Sequence, residues 1–136
     1  MSNNQSSTFL HRALVLDAAA SGATGLLMIV GADLLEGLLG LPPALLRWAG
    51  IVLLPYVAFV AFTALRETIS RPAVWAIVAA NALWAIASAL VLASGWVAPT
   101  ALGYAFVIFQ AVVVALLGEL QYMGLRRDLR GPVATA

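Results

Sequence analysis

Residues 73–94 decide the fold, because they read AVWAIVAANALWAIASALVLAS and contain no charged residue. About 20 residues, at a rise of about 1.5 Å each, span a bilayer hydrocarbon core of about 30 Å. Lipid offers the backbone no hydrogen-bonding partner, so a stretch of this kind forms a helix. Three more apolar stretches of similar length predict three more helices, at 13–32, 48–65 and 100–121. We therefore predict an all-α fold, a four-transmembrane-helix antiparallel bundle.

The composition fits a membrane protein and excludes several other classes. The 136 residues are 63% hydrophobic and only 10% charged, whereas soluble domains are about 25% charged. A formal net charge of +1 provides no basic surface for nucleic acid. The chain has no cysteine and one histidine, His11, so we expect neither a disulfide nor a metal site.

The sequence contains no recognisable catalytic constellation. It has no Ser-His-Asp set, no metal-ligand spacing, no Gly-rich phosphate loop and no pair of haem ligands. Chemistry on a substrate needs groups of these kinds held together. We therefore predict a non-enzymatic protein without a cofactor.

A single transmembrane domain, residues 13–122, accounts for most of the chain. A polar N-terminal arm, residues 1–12, is rich in Ser and Asn and lacks hydrophobic periodicity. A basic tail, residues 123–136, follows the last span. We expect the arm to be mobile, as chain ends without packing surfaces usually are.

The connections differ in length. The first contains leucines among Gly, Asp and Glu and then meets Pro42 and Pro43. We interpret 33–41 either as a short interfacial helix or as an extension of the first span. The other two connections, 66–72 and 95–99, are short, which predicts that sequential helices are neighbours.

The arginines are distributed unequally between the two sides of the predicted bundle. Only Arg47 falls on the side of the first and third connections. Loops in the cytoplasm carry an excess of Lys and Arg, so both termini and residues 66–72 are predicted to be cytoplasmic. The six arginines on that side are Arg12, Arg66, Arg71, Arg126, Arg127 and Arg130.

Polar residues inside the spans are the candidate site residues, because polar groups in lipid are costly and often functional. Two interpretations stay open. The side chains could hydrogen-bond between helices, or the mid-depth ones, Tyr56, Asn81, Trp84 and Gln110, could line a pocket or pathway. The candidates are Asp17, Ser21, Thr24, Tyr56, Asn81, Trp84, Gln110 and Glu119.

Asp17 is the most informative of these residues. It lies about 8 Å from the middle of its span, at 1.5 Å per residue, on one helix face with Ser21 and Thr24. We expect it to be protonated, in water, or paired with an arginine such as Arg12, Arg126 or Arg127. Small residues beside it predict close packing against another helix; they are Ala18, Gly22 and Gly25.

Glu119 is expected to act separately from the other candidates. It points nearly opposite to Gln110 on the same helix. It also lies near the end of its span, close enough to the surface for its carboxylate to reach water. We therefore assign it to a separate contact or to the membrane interface.

Three phrases resemble those of uncharacterised small four-helix membrane proteins of proteobacteria: Leu46-Arg47-Trp48-Ala49-Gly50, Leu54-Pro55-Tyr56 and Glu119-Leu120-Gln121-Tyr122. The layout is similar to that of DoxX-like proteins. The small multidrug resistance transporters also have four helices and one acidic residue in the first helix, a feature that Asp17 loosely resembles. The resemblance implies a four-helix fold and a multi-pass location in the bacterial inner membrane, and no particular activity.

Three functional hypotheses follow from the sequence. The first is a protein that acts through helix contacts, as a homo-oligomer or an accessory subunit of a larger membrane complex; its partners would be the lipid bilayer and other membrane subunits. The second is a small proton- or cation-coupled transporter or channel that uses Asp17 and the mid-depth polar residues. The third is a binder of an apolar pigment, quinone or lipid beside Trp84 and Tyr56.

Overall fold

The computed structural model describes the backbone of residues 2–130 and the side chains of residues 8–127. Residues 2–130 contain five helices and no strand. All of them except the second are long and apolar enough to cross a membrane. The predicted all-helical fold with four candidate membrane spans is confirmed. The helices are α1 (Ser2–Val30), α2 (Ala32–Leu39), α3 (Pro43–Leu65), α4 (Arg71–Ser94) and α5 (Ala101–Arg130).

The first helix starts earlier than the sequence predicted. It begins at Ser2 rather than at residue 13, so the described part of the polar arm continues the span as helix. Leu10 is fully buried, and Phe9 and Leu10 lie against Gly124 of α5. These two apolar residues give the arm a packing surface. Met1, the first residue of the predicted arm, lies outside the described residues.

Two other helices also extend well beyond their predicted spans, whereas α4 begins at Arg71, close to its predicted start at residue 73. α3 begins at Pro43 rather than at residue 48, and proline suits the first turn because its φ is already helical. α5 continues to Arg130 and so includes the start of the predicted basic tail. The rest of that tail, residues 131–136, and the side chain of Arg130 lie outside the described residues.

The short helix α2 covers most of the segment 33–41. It ends at Leu39, followed by Gly40 in the left-handed conformation with φ of +70°, which glycine adopts without strain. Thr100 holds this end in place. Its backbone N–H donates to the carbonyl oxygen of Leu39 at 2.9 Å, and its hydroxyl donates to that of Leu38 at 2.7 Å. The segment before the prolines is thus fixed to the start of α5.

The closest helix approach joins α1 to α3. A methyl group on Gly50 would lie 2.7 Å from the carbonyl oxygen of Gly25 and equally close to Ile29. A methyl group on Gly22 would lie at an ordinary 3.6 Å from Val57. Of the predicted packing residues, Gly25 therefore lies at the tightest point, Gly22 near it, and Ala18 packs against the apolar cluster described next.

Two apolar clusters occupy the two ends of the bundle. The first joins the early part of α1 and α4 to the late part of α3 and α5; it consists of Leu10, Leu14, Val60, Ala64, Val74, Ile77 and Leu125. The second lies toward the opposite end and consists of Met28, Ala32, Leu39, Leu41, Leu46, Leu53 and Val107. Tyr56 packs against both clusters, so its side chain marks the boundary between them.

The helices α3 and α4 are consecutive spans but barely touch. α1 packs against α3 and α5, and α5 packs against α4. The apolar side chains of α3 and α4 meet near the connecting loop, where Val60 and Ala64 of α3 and Val74 and Ile77 of α4 belong to the first cluster. The expectation that all sequential spans are neighbours is therefore wrong for α3 and α4 over most of their length, because α1 and α5 supply their main packing surfaces.

The Gly25–Gly50 contact makes a specific prediction. Gly50→Ala should lower the melting temperature in detergent, because overpacking costs about 1–3 kcal/mol. Gly37→Ala is the control: it also replaces a helical glycine, but its methyl group would meet nothing within 4 Å. It should be neutral or stabilise by up to about 1 kcal/mol. A Gly50→Ala protein as stable as Gly37→Ala would contradict the close approach.

Candidate functional site

The carboxyl group of Asp17 lies at the centre of a buried hydrogen-bond network. Asp17 is 0% exposed. Its Oδ1 accepts from the Ser21 hydroxyl at 2.9 Å. Its Oδ2 is within hydrogen-bond distance of Tyr56 Oη at 2.6 Å, Gln121 Nε2 at 2.7 Å and Asn81 Nδ2 at 3.1 Å. We call these five residues the Asp17 network.

Each of the four candidate membrane spans contributes to the Asp17 network. Asp17 and Ser21 come from α1, Tyr56 from α3, Asn81 from α4 and Gln121 from α5. Asn81 Nδ2 also donates to Gln121 Oε1 at 3.0 Å, which links α4 to α5 directly. Since buried polar groups in lipid need partners, this arrangement fixes the rotation and depth of all four helices relative to one another.

One of the three states expected for Asp17, a pair with an arginine, is not found among the side chains of residues 8–127. Arg12, Arg126 and Arg127 are exposed, and the one ion pair among residues 8–127 joins Arg47 to Asp33. Arg12 is five positions before Asp17, about 140° around the helix, so the two side chains leave α1 in different directions. Neutral hydroxyl and amide groups surround the carboxyl instead.

A second, smaller polar set lies closer to the other end of the bundle. Trp84 Nε1 donates to Gln110 Oε1 at 2.7 Å. Gln110 Nε2 donates to the Ser88 hydroxyl at 3.0 Å and to the backbone oxygen of Val107 at 2.8 Å. These bonds join α4 to α5. The four residues that the sequence placed at the same depth therefore belong to two separate hydrogen-bonded sets, Tyr56 with Asn81 and Trp84 with Gln110.

A cleft separates α3 from α4 beside both polar sets. It contains one cavity of about 330 Å³ and another of about 210 Å³, and Trp84 and Ala87 line both. Val52, Leu83 and Ala87 are exposed at its mouth, so it opens on the outer surface of the bundle. The side chains of Ser21, Tyr56 and Asn81 line its inner end. We call this feature the α3–α4 cleft.

The remaining predicted residues lie apart from these groups. Thr24 is half-buried, and Glu119 is exposed on α5; neither belongs to the Asp17 network. Gln121 belongs to the network but was not among the candidates, and neither was Ser88. Gln121 shares a helix face with Gln110, and this spacing is the sequence signal that could have identified it.

The Asp17 network predicts the effect of removing one donor. Gln121→Leu should lower the free energy of unfolding in detergent by about 1–2 kcal/mol, since a buried carboxyl loses its partner at 2.7 Å. Met123→Leu, on the exposed side of the same helix, should change it by less than about 0.5 kcal/mol. Chemical unfolding followed by circular dichroism measures both. Equal midpoints for the two variants would exclude a stabilising role for Gln121.

Comparisons with known proteins do not assign the chain to a family. No protein-family model, curated protein or solved structure matches the chain. The assignment of Asp17, Tyr56, Asn81 and Gln121 to one site therefore rests on the distances and burial of the described residues.

Proposed function

We propose that the protein is a non-enzymatic, multi-pass protein of the bacterial inner membrane that binds an apolar molecule of the bilayer in the α3–α4 cleft. The observation that carries this proposal is the cleft itself, which has apolar walls, a mouth on the outer surface of the bundle and a polar inner end. Pockets for small molecules combine these features: mostly apolar linings with a few polar groups that orient the ligand.

The chemistry of the cleft favours a particular kind of ligand. Most of its lining is aliphatic, with Trp84 between the two cavities. Such walls accept a hydrocarbon chain or a flat ring. Asn81 at the inner end uses both amide hydrogens within the network, but its carbonyl oxygen has a second lone pair that can accept from a hydroxyl on the ligand. A lipid, a pigment or a quinone in its reduced form, with a hydroxyl at one end, fits this description.

Ala87 provides the test, because it lines both cavities. Ala87→Phe should fill the cleft and weaken ligand retention about tenfold, since overpacking costs about 1–3 kcal/mol and about 1.4 kcal/mol corresponds to tenfold. Ala82→Phe, on an exposed part of α4 outside the cleft lining, is the control. Native mass spectrometry from lipid nanodiscs measures the bound mass. Identical apolar adducts on both variants would refute the cleft as the binding site.

The second candidate is a role through helix contacts, as a homo-oligomer or an accessory subunit. A shallow groove of about 470 Å³ on the α4–α5 face favours it, because small residues such as Ala89, Ala93, Ala111 and Ala115 line it. Small residues let another helix approach closely. The same mass spectra distinguish the candidates: a ligand binder retains an apolar adduct as a monomer, whereas a contact protein appears as a multimer without one.

The proposed orientation is an antiparallel bundle with both termini in the cytoplasm. The arginines support it. Arg12, Arg66, Arg71, Arg126 and Arg127 are all exposed, and three of them lie over aromatic rings, as is usual for side chains at a membrane interface. Arg47 lies near the start of α3, on the side of the first and third connections, and forms an ion pair with Asp33 at 2.9 Å. The ring contacts are Arg66 over Phe62, Arg126 over Tyr122 and Arg127 over Phe9.

Single cysteines test this orientation on a clean background, because the chain has none of its own. In intact cells, Thr68→Cys should resist a membrane-impermeant thiol reagent and Ala98→Cys should react with it. Both positions are exposed in short connections, so accessibility within the protein is matched. Disrupted cells control for reactivity, since both cysteines should then be labelled. The reverse pattern in intact cells would invert the orientation.

A further inference from the structure

The Tyr56 hydroxyl has two oxygen atoms within hydrogen-bond distance but only one hydrogen to donate. Its Oη lies 2.6 Å from Asp17 Oδ2 and 3.0 Å from Asn81 Oδ1. Both neighbours are acceptors when Asp17 is ionised, and a phenol carries a single hydrogen. One of the two contacts therefore needs a proton from elsewhere.

The side-chain amides of Asn81 and Gln121 cannot supply the missing hydrogen, whichever way they are turned. Asn81 Nδ2 uses its two hydrogens on Asp17 Oδ2 and Gln121 Oε1. Reversing the Asn81 amide would place its oxygen against those two acceptors. Reversing Gln121 as well would bring Gln121 Oε1 to 2.7 Å from Asp17 Oδ2, again oxygen against oxygen. The orientation with Asn81 Oδ1 toward Tyr56 is the one that satisfies the amides.

We propose that Asp17 is an intramembrane proton-binding site and holds a proton on Oδ2 in this arrangement. The acid then donates to Tyr56 Oη, and Tyr56 donates to Asn81 Oδ1. Each of the two oxygen contacts of Tyr56 then has one hydrogen, and the amide groups of Asn81 and Gln121 still face the carboxyl group. The chain of contacts runs from α1 through α3 to α4.

The charge environment agrees with a neutral acid. Among the described side chains that contact Asp17, Ser21 comes from α1, Tyr56 from α3, Asn81 from α4 and Gln121 from α5. Tyr56 is the only titratable group among them, and none is basic. An ionised carboxylate within a membrane span costs about 2.5–3.5 kcal/mol on insertion scales, and here it would have no cation beside it.

The proton also determines what the α3–α4 cleft presents to a ligand. If Asp17 released it, the Tyr56 hydrogen would turn to Asp17 Oδ2, and Asn81 Oδ1 would lose its donor. Asn81 lines the cleft, so the cleft would gain a free acceptor for a ligand hydroxyl. This consequence rests on the proposed function, whereas the proton on Asp17 is inferred from the two oxygen contacts of Tyr56.

Infrared spectroscopy of the ligand-free protein tests the proton directly. Asp33→Asn combined with Asp128→Asn leaves Asp17 as the only aspartate. With ¹³C-carboxyl aspartate incorporated, we expect a protonated-carboxyl carbonyl band at neutral pH that moves with the isotope. If only carboxylate bands move, the proposal is wrong. The double variant also removes the ion pair between Asp33 and Arg47, so the labelled wild-type chain serves as its control and should show the same protonated-carboxyl band.

Tyr56→Phe tests the hydrogen bond that the protonated Asp17 donates to Tyr56 Oη. It removes the acceptor at 2.6 Å, so the carbonyl band of the Asp17 acid should change position. Tyr104→Phe removes a hydroxyl from an exposed tyrosine and should leave the band where it was. An unshifted band in Tyr56→Phe would overturn the assigned contact. Because no ligand is needed, these results are independent of the outcome for Ala87→Phe.

Discussion

The burial of one carboxyl group inside the bundle constrains the rest of the structure. Asp17 is fully enclosed, and no water is available in a hydrocarbon core to satisfy it. Its partners come from α1, α3, α4 and α5. A turn of any one helix, or a slip along its axis, would remove a partner from the carboxyl. The network therefore selects one arrangement from the many that four apolar helices could adopt.

Apolar packing alone would specify this arrangement poorly. Lipid chains are as apolar as leucine, so burying leucine between helices gains little in a bilayer. The specific contacts are instead polar or unusually close. The Asp17 network lies between the two apolar clusters, where Tyr56 touches both. The Gly25–Gly50 approach fixes α1 on α3, and the bonds of Gln110 to Trp84 and Ser88 fix α4 on α5.

The sequence predicted the four long apolar helices well, because length and hydropathy alone identify them as candidate membrane spans. It also identified Asp17, Ser21, Tyr56 and Asn81, because polar residues are rare in apolar stretches. Their grouping was harder. Depth measured from each predicted span paired Gln110 with Asn81, whereas the longer α5 places Gln121 there. The gap between α3 and α4 was not predictable either, since loop length bounds the distance between helix ends and not the packing along them.

The gap and the polar contacts depend on each other. α3 and α4 meet near their connecting loop through Val60, Ala64, Val74 and Ile77, and beyond that point Tyr56 and Asn81 link them across 3.0 Å. Past this link the α3–α4 cleft begins. The Tyr56–Asn81 contact holds α3 and α4 at a fixed separation. No side chain of residues 8–127 packs into the space beyond it, so that space remains open as the cleft. Three partners of Asp17, namely Ser21, Tyr56 and Asn81, line the inner end of the cleft, so the proposed proton on Asp17 and the proposed ligand would share these polar groups.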